Sequence, residues 1–275
     1  MLIRVITSIV ALGILVPVLV LADTWVLPIA VSVCCFIANY ELLKCIGRLK
    51  KLAISIPLLI ISAVIPALAY ISSSLGEFCL AFVCVGLVEI LYLIAVMVFS
   101  KGTVSVEDIS VSTFMSFYVT IGFTAIVLLH NCFELGNHTY LLIFIGAWVT
   151  DAFAYFCGRL FGKHKLIPEV SPKKTVEGSI GGTIFSGLSF ILFGFIVRKL
   201  GIELDLSYIQ LFLFGLVAAI IAQIGDLSMS ALKRRYGIKD FGKVFPGHGG
   251  MLDRFDSILA VAIVLLIMNT IVISI

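Results

Sequence analysis

The residues most able to do chemistry lie close together in a chain that is otherwise strongly apolar. The stretch KRRYGIKDFGKVFPGHGGMLDRFD, residues 233–256, contains six Lys or Arg residues, three Asp residues and one His. Carboxylates bind Mg²⁺, a cation that keeps several waters and also binds substrate phosphates. Basic side chains neutralise phosphate oxygens. These residue types together indicate a site for a metal ion and phosphate groups.

Helical spacing extends this polar stretch backwards into the preceding apolar segment. Asp226, Ser230 and Lys233 are separated by four and then three residues, so they share one face of a helix. A charge within a membrane span is costly and usually functional. Metal binding is therefore the preferred role of Asp226, and an ion pair with a neighbouring helix is the alternative.

Three further acids lie within apolar segments. Asp151 shares a helical face with Tyr155 and with two glycines that follow, a pattern that we interpret as a helix lining a substrate cleft. Glu41 and Glu89 have no such neighbours. For these two acids an interhelical hydrogen bond is as good an explanation as a catalytic role, and the sequence leaves their roles and that of Asp151 open.

The loop PGHGG, residues 246–250, runs directly into the last apolar segment. Gly249 and Gly250 would let backbone N–H groups approach a ligand closely, and the start of the helix that follows carries a positive partial charge. Asp253 and Asp256 occupy the first turn of that helix. Acids in a first turn also stabilise a helix without any ligand, so both roles remain possible.

A second polar loop carries similar residues. SPKKTVEG, residues 171–178, supplies two Lys, two hydroxyl groups and a Glu, in a turn that we expect to begin at Pro172. His164, in the same basic connection, is a candidate phosphate contact. The alternative is a solvated cytoplasmic loop that is basic only because such loops usually are.

Composition determines which elements position these residues. The chain is 61% hydrophobic and 13% charged, and its mean hydropathy is +1.20. Its apolar runs reach about 20 residues, the length of a membrane-spanning helix, and they do not alternate as the strands of a barrel would. We predict an all-α, polytopic membrane bundle with spans near 4–22, 25–45, 52–71, 77–99, 111–130, 140–161, 179–198, 208–232 and 252–274. The first run is interpreted as a retained span and not a signal peptide, because further spans follow at once.

The distribution of basic residues predicts the orientation of the bundle. With the N-terminus in the cytoplasm, all of the 19 Lys and Arg residues except Arg198 and Lys199 fall on the cytoplasmic side. This predicts an N-in, C-out topology in which both polar loops share one face. Residues 1–130 would then form N-terminal spans, and residues 131–275 would form the catalytic part.

The polar residues also resemble those of a known family. SALKRRYGIKDFGKVFPGHGGMLDRFDS, residues 230–257, closely resembles the signature of the phosphatidate cytidylyltransferases, also called CDP-diacylglycerol synthases. The stretch DAFAYFCGRLFGKHKLIPEVSPKKTVEG, residues 151–178, is similar to the same family. The resemblance is strong over about the last 130 residues, whereas the N-terminal half is similar only as a series of spans.

The resemblance implies a reaction and its participants. CTP and phosphatidic acid would give CDP-diacylglycerol and pyrophosphate with the help of Mg²⁺, as the lipid phosphate attacks the α-phosphorus of CTP. The protein would act as a homodimer in the bilayer, by default a bacterial plasma membrane, with its active site at the cytoplasmic face and no nucleic-acid partner. Asp226 and Asp253 would bind the metal, and a second cation is left open.

The expected site residues fall into three groups. Phosphates would be neutralised by Lys173, Lys174, Lys233, Arg234, Lys239 and Arg254. They would be oriented by Ser171, Thr175 and His248. The substrate site would also include Asp240, Gly249, Gly250 and Asp256. Among all of these, we expect the catalytic residues to be Asp226, Asp253, Lys233, Arg234 and His248.

Other functions explain fewer of these residues. A CTP-dependent lipid kinase, which would transfer the γ-phosphate, is the nearest alternative. A transporter could use the intramembrane acids as a cation path, but it would leave the PKK and GHGG sequences without a role. The chain has no Walker A, GxGxxG, HExxH or nucleophile-elbow motif. The pattern typical of CDP-alcohol phosphotransferases is also absent.

Overall fold

The computed structural model describes residues 2–131, 138–202, 204 and 206–274, and within these residues the regular secondary structure is helical apart from one short hairpin. The helices are α1 (Leu2–Val20), α2 (Val26–Cys45), α3 (Leu52–Ile71), α4 (Leu75–Phe99), α5 (Val106–Asn131), α6 (Leu141–Phe161), α7 (Val176–Lys199), α8 (Tyr208–Arg235) and α9 (Leu252–Ser274). The two strands are β1 (Lys165–Ile167) and β2 (Ser171–Thr175). The predicted all-α membrane bundle is thus confirmed.

Eight of the helices, α2 to α9, are long and apolar enough to cross a membrane. In α1 the apolar helical segment is Ile9–Val20, which is too short to cross a membrane by itself. The described part of the chain therefore shows eight spans where the sequence predicts nine. Many large apolar side chains on these helices are exposed, as expected of surfaces that contact lipid.

The chain divides into two compact units. Unit 1 contains Met1–Cys132 together with Ile238–Arg254, and unit 2 contains Phe133–Gly237 together with Phe255–Ile275. The predicted division places a single boundary after residue 130. In the structure the charged loop before α9 belongs to the same unit as the N-terminal helices.

Unit 1 is built around α2, α3 and α5, which pack against one another. Asn39 on α2 donates a hydrogen bond to Thr120 on α5 (3.3 Å). Arg48, in the α2–α3 connection, lies 2.5 Å from the Asp108 carboxylate in the first turn of α5, and Lys51 pairs with the other oxygen of that carboxylate. Helix α4 is exposed along most of its length.

The four helices of unit 2 meet around Gly146 on α6. A Cβ at this position would lie 3.3–3.4 Å from side-chain atoms of Phe190, Ala218 and Val261, which belong to α7, α8 and α9. These three side chains are at most 5% exposed. The helices therefore pack closely at this point because no side chain separates them.

The glycines that follow Asp151 and Tyr155 on α6 contact protein. A Cβ at Gly158 would lie 2.7 Å from the Thr175 hydroxyl, and one at Gly162 would lie 2.8 Å from the Thr175 methyl. The interpretation of this face as the wall of a substrate cleft is therefore wrong for its second half. The bare surface is needed so that the start of α7 can pack against the end of α6.

The second polar loop forms an antiparallel hairpin, in which Lys165 pairs with Thr175 and Ile167 with Ser171. Pro172 lies within β2 and does not begin a turn as the sequence suggested. A two-stranded sheet tolerates Pro because one side of each strand needs no ladder hydrogen bond. The turn itself lies between the two strands.

Glu177, in the first turn of α7, binds the two residues that precede β1. It accepts hydrogen bonds from the backbone N–H groups of Lys163 (3.1 Å) and His164 (3.2 Å). The His164 Nδ1 atom also lies 2.7 Å from the Glu177 carboxylate. The structure therefore places this His ring against a carboxylate, although the sequence suggested a phosphate.

Candidate active site

The acid that spacing singled out, Asp226, lies beside a Lys of the hairpin in unit 2. Its carboxylate is 2.5 Å from the Lys174 Nζ atom, and about a quarter of each side chain is exposed. Asp226 comes from the second half of α8 and Lys174 from β2. The alternative role of this acid is an ion pair with a neighbouring helix; the structure shows an ion pair with a strand instead, and the carboxylate remains partly accessible.

A second acid, Asp256 on α9, approaches the same part of α8. At Gly225, next to Asp226, a Cβ would lie only 2.9 Å from the Asp256 carbonyl oxygen and 2.7 Å from the Ala260 Cβ atom. The absence of a side chain at Gly225 lets the two helices touch. Asp256 is buried, at 9% exposure, and one of its oxygens accepts a hydrogen bond from the Ser257 N–H (2.9 Å).

Charges of both signs surround Asp256. It is repelled by Asp226 and attracted by Lys233, and Asp151 adds a smaller repulsion. Lys233 itself is buried, with 9% of its surface exposed. We refer to Lys174, Asp226, Lys233 and Asp256 as the unit 2 cluster. Two acids and two bases at the end of a span make this cluster suited to bind a cation together with anionic oxygens.

Thr175, which follows Lys174 of the unit 2 cluster, anchors the end of β2 to the start of α7. It is buried, and its hydroxyl accepts a hydrogen bond from the Gly178 N–H (3.2 Å) as the N-cap of α7. Thr175 is thus engaged in ending β2 and starting α7, directly after Lys174. Ser171 begins the same strand and is half-buried.

The other predicted charged residues of the substrate site are solvent-accessible, apart from the buried Asp256. In unit 2 these residues are Lys173 and Arg234, and in unit 1 they are Lys239, Asp240 and Arg254. Exposed side chains can contact a ligand that arrives from solution, whereas Lys174 is paired with Asp226 and Lys233 is buried.

In unit 1 the predicted metal ligand Asp253 organises a loop. Its Oδ2 atom accepts hydrogen bonds from the N–H groups of Phe241 (2.7 Å) and Gly250 (2.9 Å). Asp253 lies in the first turn of α9 and is 7% exposed. The carboxylate therefore ties Phe241 and Gly250 of the charged loop to the start of the last helix.

The GHGG sequence closes this loop as a tight turn. Phe245 and Gly249 exchange backbone hydrogen bonds of 2.9 and 3.1 Å, and the His248 N–H also donates to the Phe245 carbonyl (2.9 Å). Gly247 and Gly249 have φ values of 79° and 93°, which favour glycine. The N–H groups of residues 248–250 thus donate within the protein, and the glycines serve the turn.

His248 is oriented by the first helix. Its Nδ1 atom lies 2.7 Å from the Thr7 hydroxyl on α1. Glu41 of α2 also reaches this loop, where its Oε2 atom accepts a hydrogen bond from the Leu252 N–H (3.0 Å). We refer to Glu41, His248, Gly250 and Asp253 as the unit 1 cluster. Sequence spacing could not reveal the contacts of Thr7 and Glu41, which lie more than 200 residues from their partners.

The residues present are compatible with Mg²⁺. Among the described residues no group of three or more His, Cys, Asp or Glu side chains is arranged to hold a metal. Mg²⁺ is, however, commonly held by one or two carboxylates, with waters and substrate phosphates completing the shell. Asp226 and Asp256 supply two neighbouring acids, and a cation would relieve the repulsion between them.

The helices and the two clusters define a polytopic membrane protein that carries acidic and basic side chains at the ends of its spans. The profile of the cytidylyltransferase family matches residues 2–272. Proteins called phosphatidate cytidylyltransferase are similar to the chain. The protein of Staphylococcus haemolyticus is 37% identical over 260 residues, which are 94% of this chain and 95% of the relative. That of Bacillus subtilis is 38% identical over 177 residues, 64% of each chain.

The chain therefore belongs to the cytidylyltransferase family. It is a nucleotidyltransferase and an integral membrane protein, as the sequence predicted. A third relative, from Staphylococcus aureus strain COL, is 34% identical over 263 residues, covering 94% of this chain. The family match begins at residue 2 and so includes the N-terminal helices, whose sequence resembles the family only as a series of spans.

Proposed function

We propose that this protein transfers the cytidylyl group of CTP to phosphatidate, giving CDP-diacylglycerol and pyrophosphate. The observation that carries this proposal is the match to the cytidylyltransferase family over residues 2–272, together with relatives of nearly equal length that are called phosphatidate cytidylyltransferase. The unit 2 cluster provides the chemistry that this reaction needs.

The reaction breaks one phosphoanhydride bond and forms another. An oxygen of the lipid phosphate attacks the α-phosphorus of CTP, and the bond to the β-phosphate breaks to release pyrophosphate. The second ionisation of a phosphate monoester has a pKa of about 6, so the nucleophile is already anionic at neutral pH. The protein therefore needs no strong general base, and its task is to position the phosphates and neutralise their charge.

Two bases beside the acids of the unit 2 cluster would perform most of this neutralisation. Lys233 is buried near the end of α8 and is attracted to Asp256, and Lys174 pairs with Asp226. Both bases are fixed before substrate arrives, which lowers the cost of orienting them in the transition state. The exposed residues Lys173, Arg234 and Lys239 add mobile positive charge at the protein surface.

Mg²⁺ would be held by Asp226, with Asp256 beside it, and when bound it would neutralise phosphate oxygens. We retain Asp253 as a second proposed metal ligand, as the family resemblance implies. Its Oδ2 atom is already engaged by two backbone N–H groups. Asp253 would therefore bind a cation while it also holds the loop.

We place the reaction at the cytoplasmic face of a bacterial plasma membrane and propose a homodimer. Bacterial relatives and the eight apolar helices support the membrane assignment. CTP would come from the cytoplasm and phosphatidate from the bilayer. Chemical cross-linking in native membranes, followed by mass measurement, tests the dimer.

One experiment separates cytidylyl transfer from its nearest alternative. The purified protein is incubated with phosphatidate, Mg²⁺ and CTP labelled at the α-phosphate. We expect the label to enter the lipid fraction as CDP-diacylglycerol, with release of unlabelled pyrophosphate. Label that remains entirely in CDP would instead establish transfer of the γ-phosphate, as in a lipid kinase.

A further inference from the structure

Glu41 is a buried acid whose role the sequence leaves open. It lies near the C-terminal end of α2, and only 3% of its surface is exposed. A buried carboxylate is costly in a membrane protein unless it is paired or hydrogen-bonded. Its Oε2 atom accepts a hydrogen bond from the N–H group of Leu252, the first residue of α9. This contact links the N-terminal helices to the charged loop within unit 1.

Two glycines of the loop close over the Glu41 carboxylate. A Cβ added at Gly242 or at Gly250 would overlap the carboxylate atoms of Glu41. Neither glycine has a positive φ. The small size of these two residues is thus explained by the room that Glu41 occupies, since their backbone conformation is open to other residues.

Glu41 and Asp253 hold the loop together. Asp253 accepts from the N–H groups of Phe241 and Gly250, and Glu41 accepts from the N–H group of Leu252 at the start of α9. Asp253 thereby holds the segment that carries His248 on both sides, and Glu41 holds the residue at which this segment enters α9. Displacement of Glu41 would release Leu252 from α2, while Asp253 still held Phe241 and Gly250.

We propose that Glu41 is a positioning residue for cytidylyl transfer, which fixes the loop Ile238–Met251 against α2 and so sets the positions of His248 and Asp253. This inference rests on the proposed function. Glu41 acts through its shape and through the acceptor oxygen at Oε2, and it does not contact substrate. A displacement of about 1 Å in a catalytic group can cost on the order of 10²-fold in rate.

Two conservative substitutions separate positioning from a charge effect. Glu41→Gln keeps the length of the side chain and an acceptor oxygen for Leu252, and its amide nitrogen can occupy the place of Oε1, which has no hydrogen-bond partner among the described residues. Glu41→Asp keeps the charge but is one methylene too short. We expect Glu41→Gln to keep kcat within about threefold of wild type, and Glu41→Asp to lower kcat about 10²-fold with little change in the KM for CTP.

The reverse order of activities would overturn the proposal, because it would mean that the charge of Glu41 matters and its reach does not. Equal activity of both variants and wild type would overturn it as well. Glu89→Gln is the matched control, since Glu89 is also buried in a span of unit 1 but lines a cavity with Leu58 and Ser116. We expect this control to keep wild-type kcat and KM.

A double-mutant cycle tests the contact itself. In the wild-type background Gly242→Ala would place a methyl group on the Glu41 carboxylate, and we expect kcat to fall at least tenfold. In a Glu41→Ala background the same substitution has room, so we expect no further loss. Losses that multiply independently would show that the two residues do not interact and would contradict the proposal.

Hydrogen exchange provides a measurement that does not depend on activity. We expect faster amide exchange over residues 238–252 in Glu41→Asp than in wild type, and wild-type exchange in Glu41→Gln. If the wild-type protein made no CDP-diacylglycerol while this exchange pattern held, the proposed function would fail and the loop contact would stand. Unchanged exchange in an active Glu41→Asp protein would reject the inference alone.

Discussion

Asp226 and Asp253 are chemically identical acids in different surroundings. Asp226 faces the Lys174 ammonium group and keeps partial exposure, whereas Asp253 is buried and accepts two backbone N–H groups. Asn has nearly the same size as Asp but lacks its charge. Substitution by Asn therefore tests whether the charge of each acid is needed, with little change in volume.

We predict that Asp226→Asn and Asp253→Asn each lower the rate of CTP-dependent CDP-diacylglycerol formation by at least about 10²–10³-fold, the usual effect of removing a group that stabilises transition-state charge. Both variants should still insert into the membrane and elute from size exclusion as wild type does. The assay uses α-labelled CTP at saturating Mg²⁺. Activity near that of wild type in either variant would remove that residue from the metal site.

The sequence predicts which of these residues share a helix better than it predicts which residues they contact. Helical spacing correctly placed Asp226 and Lys233 on the same helix, because a period of 3.6 residues is a local property. The pairing of Lys174 with Asp226 joins residues 52 positions apart, and that of Glu41 with Leu252 joins residues 211 positions apart. Such contacts depend on how helices pack, which local periodicity does not determine.

At the scale of elements, the α6–α7 contact positions Lys174. Gly158 on α6 leaves room for Thr175, the N-cap of α7, and Lys174 precedes that cap in the chain. Any side chain at Gly158 would push the cap and the hairpin away from α6. The geometry of the unit 2 cluster thus depends on a residue that carries no functional group.

We predict that Gly158→Ala destabilises the protein by about 1–3 kcal/mol, the usual cost of overpacking. It should also reduce cytidylyl transfer by displacing Lys174. Thermal unfolding in detergent, followed by intrinsic fluorescence, measures the stability. The matched control is Gly86→Ala on α4, where no atom lies within 4 Å of the added Cβ. This control should be neutral or more stable by up to about 1 kcal/mol, since Gly is the poorer helix former. Equal behaviour of the two variants would contradict the packing argument.

The limits of the helices could be predicted from the sequence, and the hairpin could not. The predicted span 52–71 coincides with α3, and the predicted span 208–232 ends three residues before α8 does. Long apolar runs are strong signals because a bilayer requires them. Strands β1 and β2 contain only three and five residues, and Pro172 in β2 is typical of a turn. Pairing between two such short segments is marginal by itself, and contacts of the hairpin with α6 and α7 support it.

At the scale of the whole molecule, the predicted orientation in the membrane rests on the distribution of basic residues. Arg198 and Lys199, at the end of α7, are the two basic residues that the predicted topology leaves outside. Arg198 donates hydrogen bonds to the carbonyl groups of Leu204 (3.1 Å) and Leu206 (2.6 Å), and its guanidinium lies 4.4 Å from the centre of the Tyr208 ring. These contacts explain the position of Arg198 by its local structural role. Its placement outside therefore does not argue against the topology that the positive-inside rule predicts.

Labelling of single cysteines tests this orientation directly. All seven native Cys residues are first replaced, and Cys is then introduced at the exposed positions Lys173, Lys199 or Lys243. In intact spheroplasts we predict that an impermeant maleimide labels only Lys199→Cys, because one span separates it from each of the other two positions. Lys173→Cys and Lys243→Cys should react only after permeabilisation, since the basic loops remain in the cytoplasm where CTP is made. Labelling of Lys243→Cys in sealed cells would place the GHGG loop outside and would exclude a cytoplasmic source of the nucleotide.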